Sequence, residues 1–487
     1  MASPSAPSTD PSSSSKMPKD GDSAVSAAPE TPVPVVPESI VPADKPVDDT
    51  SKLRAFLSIL KNFIGVSDIA SVRFSLPAQL LEPIPNLEYW NYLDRPESFV
   101  RYGWVVMFAK VKKEPVLKLT TISIGKSDDE LGRMLEVLRF WFTKDLCNWE
   151  IKDSEPPVTI PPVSKPGSKL GSKPSSKCGS KETIVDKSAA PSFVSAPEET
   201  VKISYITEQT SHHPPVSAFW VDCPQRGITA RGFDQISAKF TGTSVRITPG
   251  QHNLGIFVTL TKRDNEEYQL THPDAHLGGI LRGSLSVTVA DTCYVTCPKT
   301  KIKAILQYLE DGWLGRAQHR VTGAIFRYDP DKDDKTRIKD IPATDLLAEI
   351  QGSWHEQIYF NLPGSKEKHL LIDVAPLFPA AKTTPPAEKQ LVYESRRLWS
   401  DITAAINSKQ FALATKLKCE LEESQRSKAA LRKENSHDWV PRFFTVADIK
   451  AGRPDLTEDG RQALDKMHQD IFDIDEKLNS NGEFSER

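Results

Sequence analysis

Residues 207–220 read TEQTSHHPPVSAFW: two adjacent histidines stand before two prolines, and the chain then runs straight into an apolar, strand-like segment. The texture of that segment extends in both directions. From about residue 201 to 373 come VKISYIT, GITARGF, ISAKFTGTSVRIT, LGIFVTLT, GGILRGSLSVTVA, RVTGAIFRY and KHLLIDV, alternating and β-branched runs separated by breaks bearing Gly, Asp, Asn or Pro. That pattern predicts a meandering antiparallel sheet. A sheet this long curls or closes into a barrel, which removes its edges and in some cases encloses a cavity.

Helical patterns flank the sheet. SKLRAFLSILKNFIG, 51–65, opens on a capping residue, Ser51, and places Leu53, Phe56, Leu57, Leu60, Phe63 and Ile64 on one apolar face. DDELGRMLEVLRFWFTKDL, 128–146, repeats the pattern at Leu131, Met134, Leu135, Leu138 and Phe142, as a helix packed on a core would. After residue 390, ESRRLWSDITAAINSKQFALATKLKCELEESQRSKAALRKE contains neither Gly nor Pro and reads as helix. The expected class is α+β, a large antiparallel β-barrel with helices at both ends.

Composition narrows the function. The 62 Lys and Arg against 65 Asp and Glu leave a net charge of -3, so no global basic field points to nucleic acid, and any anion site is local. The six cysteines show no CxxC spacing, Cys293 and Cys297 share one strand face, and the set reads as reduced and cytosolic, without a zinc site or disulfide framework. No signal peptide and no run of 18 apolar residues is found, so a soluble protein that meets membranes from outside is expected. Residues 1–48, rich in Ser and Pro, read as a disordered tail. A loop at about 153–200 spaces Lys165, Lys169, Lys173, Lys177 and Lys181 among Gly, Pro and Ser, either as a solvated linker or as a tether for anionic headgroups.

Two constellations offer chemistry. His212 and His213 are either turn residues capping a strand or, together with His272 and His276 in THPDAHLGG, metal ligands of a hydrolase. No GxSxG, HExxH or phosphate-cradling glycine loop accompanies them. Lys418, Glu422 and Arg426 are spaced i, i+4, i+8 and stack on one helix face with the acid between two cations. Alone this is an exposed ladder; with two histidines nearby it becomes an anion site.

EQTSHHPPVSAFW resembles the EQ-x-SHHPP signature of the oxysterol-binding-protein-related family. LPAQLLEPIPNLEYW, DELGRMLEVLRFWF, ARGFDQISAKF, the GSW at 352–354, YESRRLWSDITAAI and KCELEESQR follow in family order, covering most of 51–445, with most similarity to short fungal members. The resemblance implies a nearly closed antiparallel barrel whose tunnel holds one lipid beneath an N-terminal lid. It also implies non-enzymatic exchange of sterol for phosphatidylinositol 4-phosphate between membranes, with no cofactor. Matched residue by residue, His212, His213, Lys418, Glu422 and Arg426 hold the phosphoinositide headgroup, and 51–66 is the lid. Trp90 is a sterol-side aromatic or plain core, and Asp234 a polar residue of the tunnel floor.

The domain expected is 49–445, followed by a helical extension over 446–487, in a cytoplasmic monomer that touches ER- or Golgi-type membranes peripherally. A phosphoinositide sensor, a phosphatidylserine carrier and the metal-dependent hydrolase are the competing readings. Two departures stand out. The KP-x-N-P-x-x-GE segment expected after Leu146 is missing, and YGWVVMFAKVKKEPVLKLTTISIG, 102–125, stands where relatives have a short connection.

Overall fold

The computed structural model describes residues 58–71, 76, 78–88, 92–96, 104–105, 119–120, 124–146, 201–242, 244–278, 286–310, 318–380, 382–436, 439–445 and 449–472. Trp90, the lid residues Leu53, Phe56 and Leu57, the lysine-rich loop and most of 102–125 lie outside them. Within 102–125, β1 (Trp104–Val105) pairs antiparallel with β2 (Leu119–Thr120).

The alternating runs become strands where expected. They are β3 (Ser204–His212), β4 (Pro215–Cys223), β5 (Ile228–Asp234), β6 (Ile236–Phe240), β7 (Val245–Pro249), β8 (Ile256–Leu260) and β9 (Glu266–Leu270). The chain continues through β10 (Asp274–Gly278), β11 (Ser286–Cys297), β12 (Ile302–Tyr308), β13 (Arg320–Arg327), β14 (Leu346–Ser353), β15 (Gln357–Asn361) and β16 (His369–Asp373). All fourteen join one antiparallel sheet, in the order β16-β15-β14-β13-β12-β11-β9-β8-β5-β4-β3, with β10, β7 and β6 branching from β11. Among the described residues β3 and β16 are not paired with each other, so the sheet is an open path.

Period-2 alternation gives each strand two working faces. In β4, Phe219, Val221 and Cys223 enter the main core, whereas Val216 and Ala218 enter a second one on the opposite face. The main core is closed by α1 (Glu130–Thr143), whose Met134, Val137, Leu138, Phe140 and Trp141 are buried against the sheet. Asp129 caps this helix by accepting from the Gly132 N–H at 2.7 Å. Each of the buried apolar side chains of α1 contributes about 1.5–3 kcal/mol. Cys293 and Cys297, four residues apart on β11, share the buried face as the spacing required.

The C-terminal helical stretch is not continuous. It divides into α2 (Ser395–Asn407) and α3 (Phe411–Glu434), because Lys409 takes a left-handed conformation and Gln410 N–H closes onto the Ala405 carbonyl at 2.8 Å. The two helices form a hairpin around Ile402, Ala405, Ile406 and Ala414. The segment expected as an extension is instead part of the fold. Its α4 (Glu458–His468) buries Ala463 and Leu464 against Ile206, Val216 and Phe233, after a short pairing of β17 (Phe444–Thr445) with β18 (Asp455–Leu456).

Candidate functional site

The signature sits at the β3–β4 turn. A register shift between Gln209 and Ser211 bulges β3 just before the histidines, and His212 pairs in register with Pro215 across the turn. The His212 and His213 rings lie 4.3 Å apart, tilted by 47°, and both residues are exposed. Gln209 Nε2 reaches His212 Nδ1 at 3.3 Å and donates to the Ser211 carbonyl at 3.1 Å. Glu208, the acid of the signature, has a different task. Its Oε1 accepts from the Arg442 N–H at 2.7 Å and its Oε2 from the Phe443 N–H at 2.8 Å, which ties the chain after α3 to β3. Burial raises its pKa, against the opposing pull of those donors.

On α3 the ladder forms as its spacing predicts. Lys418 Nζ donates to Glu422 Oε1 at 2.6 Å, and Arg426 donates to Glu422 Oε2 at 3.3 Å and to Glu423 Oε2 at 3.1 Å. The ladder is graded in solvation: the Lys418 side chain is 8% exposed and that of Arg426 62%. The ammonium is therefore buried beside the Glu422 carboxylate while the guanidinium stands in water. The histidines and the ladder are carried by separate elements, β3 and α3, each held by contacts of its own.

Of the segment expected as a lid, the described part begins at residue 58. Leu60 and Phe63 are buried against Phe240 and Val245, and Asp68 fastens the segment by accepting from the Ala238 N–H of β6 at 2.8 Å. Ile64, expected on the same apolar face, is exposed. The helix tightens to a 3-10 turn at Lys61–Phe63 and Ile64 leaves it in extended conformation before Gly65, whose φ is +87°, so the helical period stops one residue short.

A buried polar cluster lies where Asp234 was expected. Asp234, at the end of β5, accepts from the Tyr92 hydroxyl through Oδ1 at 2.5 Å. His272 stacks on the Tyr92 ring at 5.5 Å and lies 5.7 Å from Trp141, whose Nε1–H donates to the Tyr308 hydroxyl at 2.9 Å. Lys144 pairs with Asp145 and sits 4.7 Å over Tyr92 and 4.5 Å over Trp141. Burial pushes Asp234 up to about 8, holds His272 neutral by lowering its pKa, and raises Asp145. From the sequence, Asp234 is expected here and His272 is only a candidate metal ligand. Tyr92, Trp141 and Lys144 come from other segments, and their only signal was polarity within otherwise apolar runs. Among the described residues no three of His, Cys, Asp or Glu are grouped to hold a metal ion.

The Asp234 carboxyl makes stability depend on pH. Its folded pKa lies above the unfolded value of about 3.9, so between about pH 4 and 8 the native state keeps a proton that the unfolded chain releases. Stability from this group therefore falls as pH rises through that window. Asp234→Asn keeps an acceptor for Tyr92 and has no charge to bury. The amount by which its melting temperature exceeds the parent's should be several degrees larger at pH 9 than at pH 5; parallel pH profiles would contradict this.

The oxysterol-binding protein family matches residues 193–468. Oxysterol-binding protein-like protein 1 of Schizosaccharomyces pombe is 39% identical, over 87% of this chain and 92% of its own length. The chain belongs to the oxysterol-binding protein family. Among solved structures similar to this family member are the Osh1 ORD domain in complex with ergosterol, with TM-score 0.42 and 18% identity over 58% of this chain and 69% of that one. The Osh3 ORD of Saccharomyces cerevisiae in complex with PI(4)P gives TM-score 0.39 and 15% identity over 56% and 68%.

Proposed function

We propose that this member of the oxysterol-binding protein family is a non-enzymatic lipid carrier that exchanges sterol for phosphatidylinositol 4-phosphate between membranes. In this reading the curled sheet surrounds a nearly closed tunnel under the 51–66 lid, and the protein acts as a cytoplasmic monomer on ER- or Golgi-type surfaces. The observation that carries it is the graded ladder of α3, where a buried Lys418 and an exposed Arg426 share Glu422. A buried ammonium is costly to keep for stability alone. It suits a polyanionic headgroup, to which Arg426 adds a planar fork and His212 and His213 add imidazole donors.

The test is a transfer assay between donor and acceptor liposomes of defined composition, paired with mass spectrometry of lipids bound in cells. Sterol and phosphoinositide both bound and counter-transported is the expected result. Phosphoinositide extraction without delivery of a second lipid would make the protein a sensor, and phosphatidylserine in place of sterol would change the cargo. Within the ladder, Arg426→Ala should weaken phosphoinositide extraction roughly ten- to hundredfold, as loss of a charge-assisted bond does. Arg426→Lys should fall between, because it keeps the charge and loses the fork. No effect of either would reduce the ladder to a solvated face.

A further inference from the structure

Ser204, Ile206 and Glu208 follow one another at period 2 on a single face of β3, and the C-terminal segment holds all three. His468, at the end of α4, places Nδ1 3.2 Å from Ser204 Oγ, and Ala463 and Leu464 of the same helix share a core with Ile206. Glu208 takes the N–H groups of Arg442 and Phe443. The carbonyls of those two residues turn the other way. Thr457, the N-cap of α4, donates to the Arg442 carbonyl through its hydroxyl at 2.5 Å and to the Phe443 carbonyl through its N–H at 2.9 Å. Arg442 and Phe443 are a two-residue clasp, with β3 gripping its donors and α4 its acceptors. Among the described residues β3 pairs with β4 alone, so contacts across this face help to place it. Glu208 is the last of the three held residues before the bulge at Gln209–Ser211, and the histidines follow that bulge. We propose that Glu208 is a positioning residue for the phosphoinositide headgroup: through the clasp it fixes the β3–β4 turn, and with it the directions of both imidazoles, without touching the ligand. This rests on the reading of the histidine turn as part of the headgroup site.

Glu208 is unsuited to direct contact with the ligand. Each of its oxygens already accepts a backbone N–H, the residue is half-buried, and a carboxylate beside a phosphate would repel it. It is well suited to the clasp. An ionised carboxylate has two acceptor oxygens and no donor, which matches two adjacent N–H groups, whereas an amide in its place would set an NH2 against one of them. The placement matters because hydrogen bonds weaken steeply when the donor angle falls below about 120°, so a turn that swings freely spends little time with both imidazoles aimed at one phosphate. Binding groups reach such precision only when the residues around them are themselves held.

The test titrates the full chain with dioctanoyl phosphatidylinositol 4-phosphate, a water-soluble short-chain form, and with dehydroergosterol. Glu208→Gln keeps the size and one acceptor, and should weaken phosphoinositide binding about tenfold while sterol binding holds. Glu208→Asp, which keeps the charge, should fall between. Independent effects multiply, whereas a positioning effect disappears together with the groups positioned. The tenfold loss should therefore vanish when Glu208→Gln is added to His212→Ala with His213→Ala, and persist when it is added to Arg426→Ala, whose side chain is carried by α3. Thr457→Val loosens the clasp from the α4 side and should show the same pattern, so the result does not depend on one variant folding; a thermal melt identifies the folded variants. Unchanged phosphoinositide binding in the folded clasp variants, or a loss of equal size with and without the histidines, would overturn the positioning role and leave the headgroup reading intact. No phosphoinositide binding by the folded parent would overturn both.

Discussion

Glu266→Ala is expected to remove about 3–5 kcal/mol of folding stability, the cost of stripping one partner from a buried ion pair. Arg133, on α1, lays its guanidinium against Glu266 of β9 with two bonds, Nε to Oε1 at 2.7 Å and a terminal nitrogen to Oε2 at 2.9 Å. Both side chains are almost fully buried, at 7% and 5% exposure. The Tyr268 hydroxyl donates to Oε1 at 2.6 Å, and the remaining guanidinium nitrogen donates to the Asp128 carbonyl at 2.7 Å. The pair thus ties the first turn of α1 to the sheet. With alanine at 266, the guanidinium keeps its carbonyl partner but loses its counter-charge in an interior from which water is excluded. Against a typical net stability of about 5–15 kcal/mol, that loss is a large fraction of the whole. Denaturant titration measures it. Replacing both partners by apolar residues of similar size should recover much of the deficit, because the charge needing compensation is gone. A Glu266→Ala midpoint equal to the parent's would show that water reaches Arg133.

What the sequence disclosed follows from the range of the forces involved. Strands β3 to β16 and helix α1 were legible because burial imposes a local period on the residues themselves, two in β4 and 3.6 in α1. The ladder on α3 was legible for the same reason, since i and i+4 neighbours meet whatever the rest of the chain does. The break at Lys409 was not, because no Gly or Pro marks it and a lysine carries the left-handed turn. Nor was the role of Glu208. Nothing in the signature's spacing shows that it binds the N–H groups of Arg442 and Phe443, more than 230 residues away. The Tyr92, Asp234 and His272 cluster had the same difficulty, for its members approach only when three separate segments meet.

His212→Ala combined with His213→Ala is expected to reduce phosphatidylinositol 4-phosphate extraction by a hundredfold or more while sterol binding survives. Both residues are exposed at the end of β3, and their rings pack on each other at 4.3 Å. Exposed side chains outside a core change stability by about 0.5 kcal/mol or less when replaced, so the sheet should hold its shape. The bulge between Gln209 and Ser211, and the bonds from Gln209 to Ser211 and His212, set the direction of the turn independently of the imidazoles being removed. In the proposed complex each imidazole donates to a headgroup phosphate, and a hydrogen bond to a charged group contributes about 1.5–3 kcal/mol, so two together account for the expected factor. Sterol lies against the interior around Tyr92 and Asp234 in the same proposal and makes no use of either histidine. Extraction from phosphoinositide liposomes, dehydroergosterol binding and a thermal melt on one preparation of the double variant decide the matter. Loss of both ligands together with a lower melting temperature would assign the pair to holding the β3–β4 turn, and unchanged phosphoinositide extraction would leave the headgroup to Lys418 and Arg426 alone.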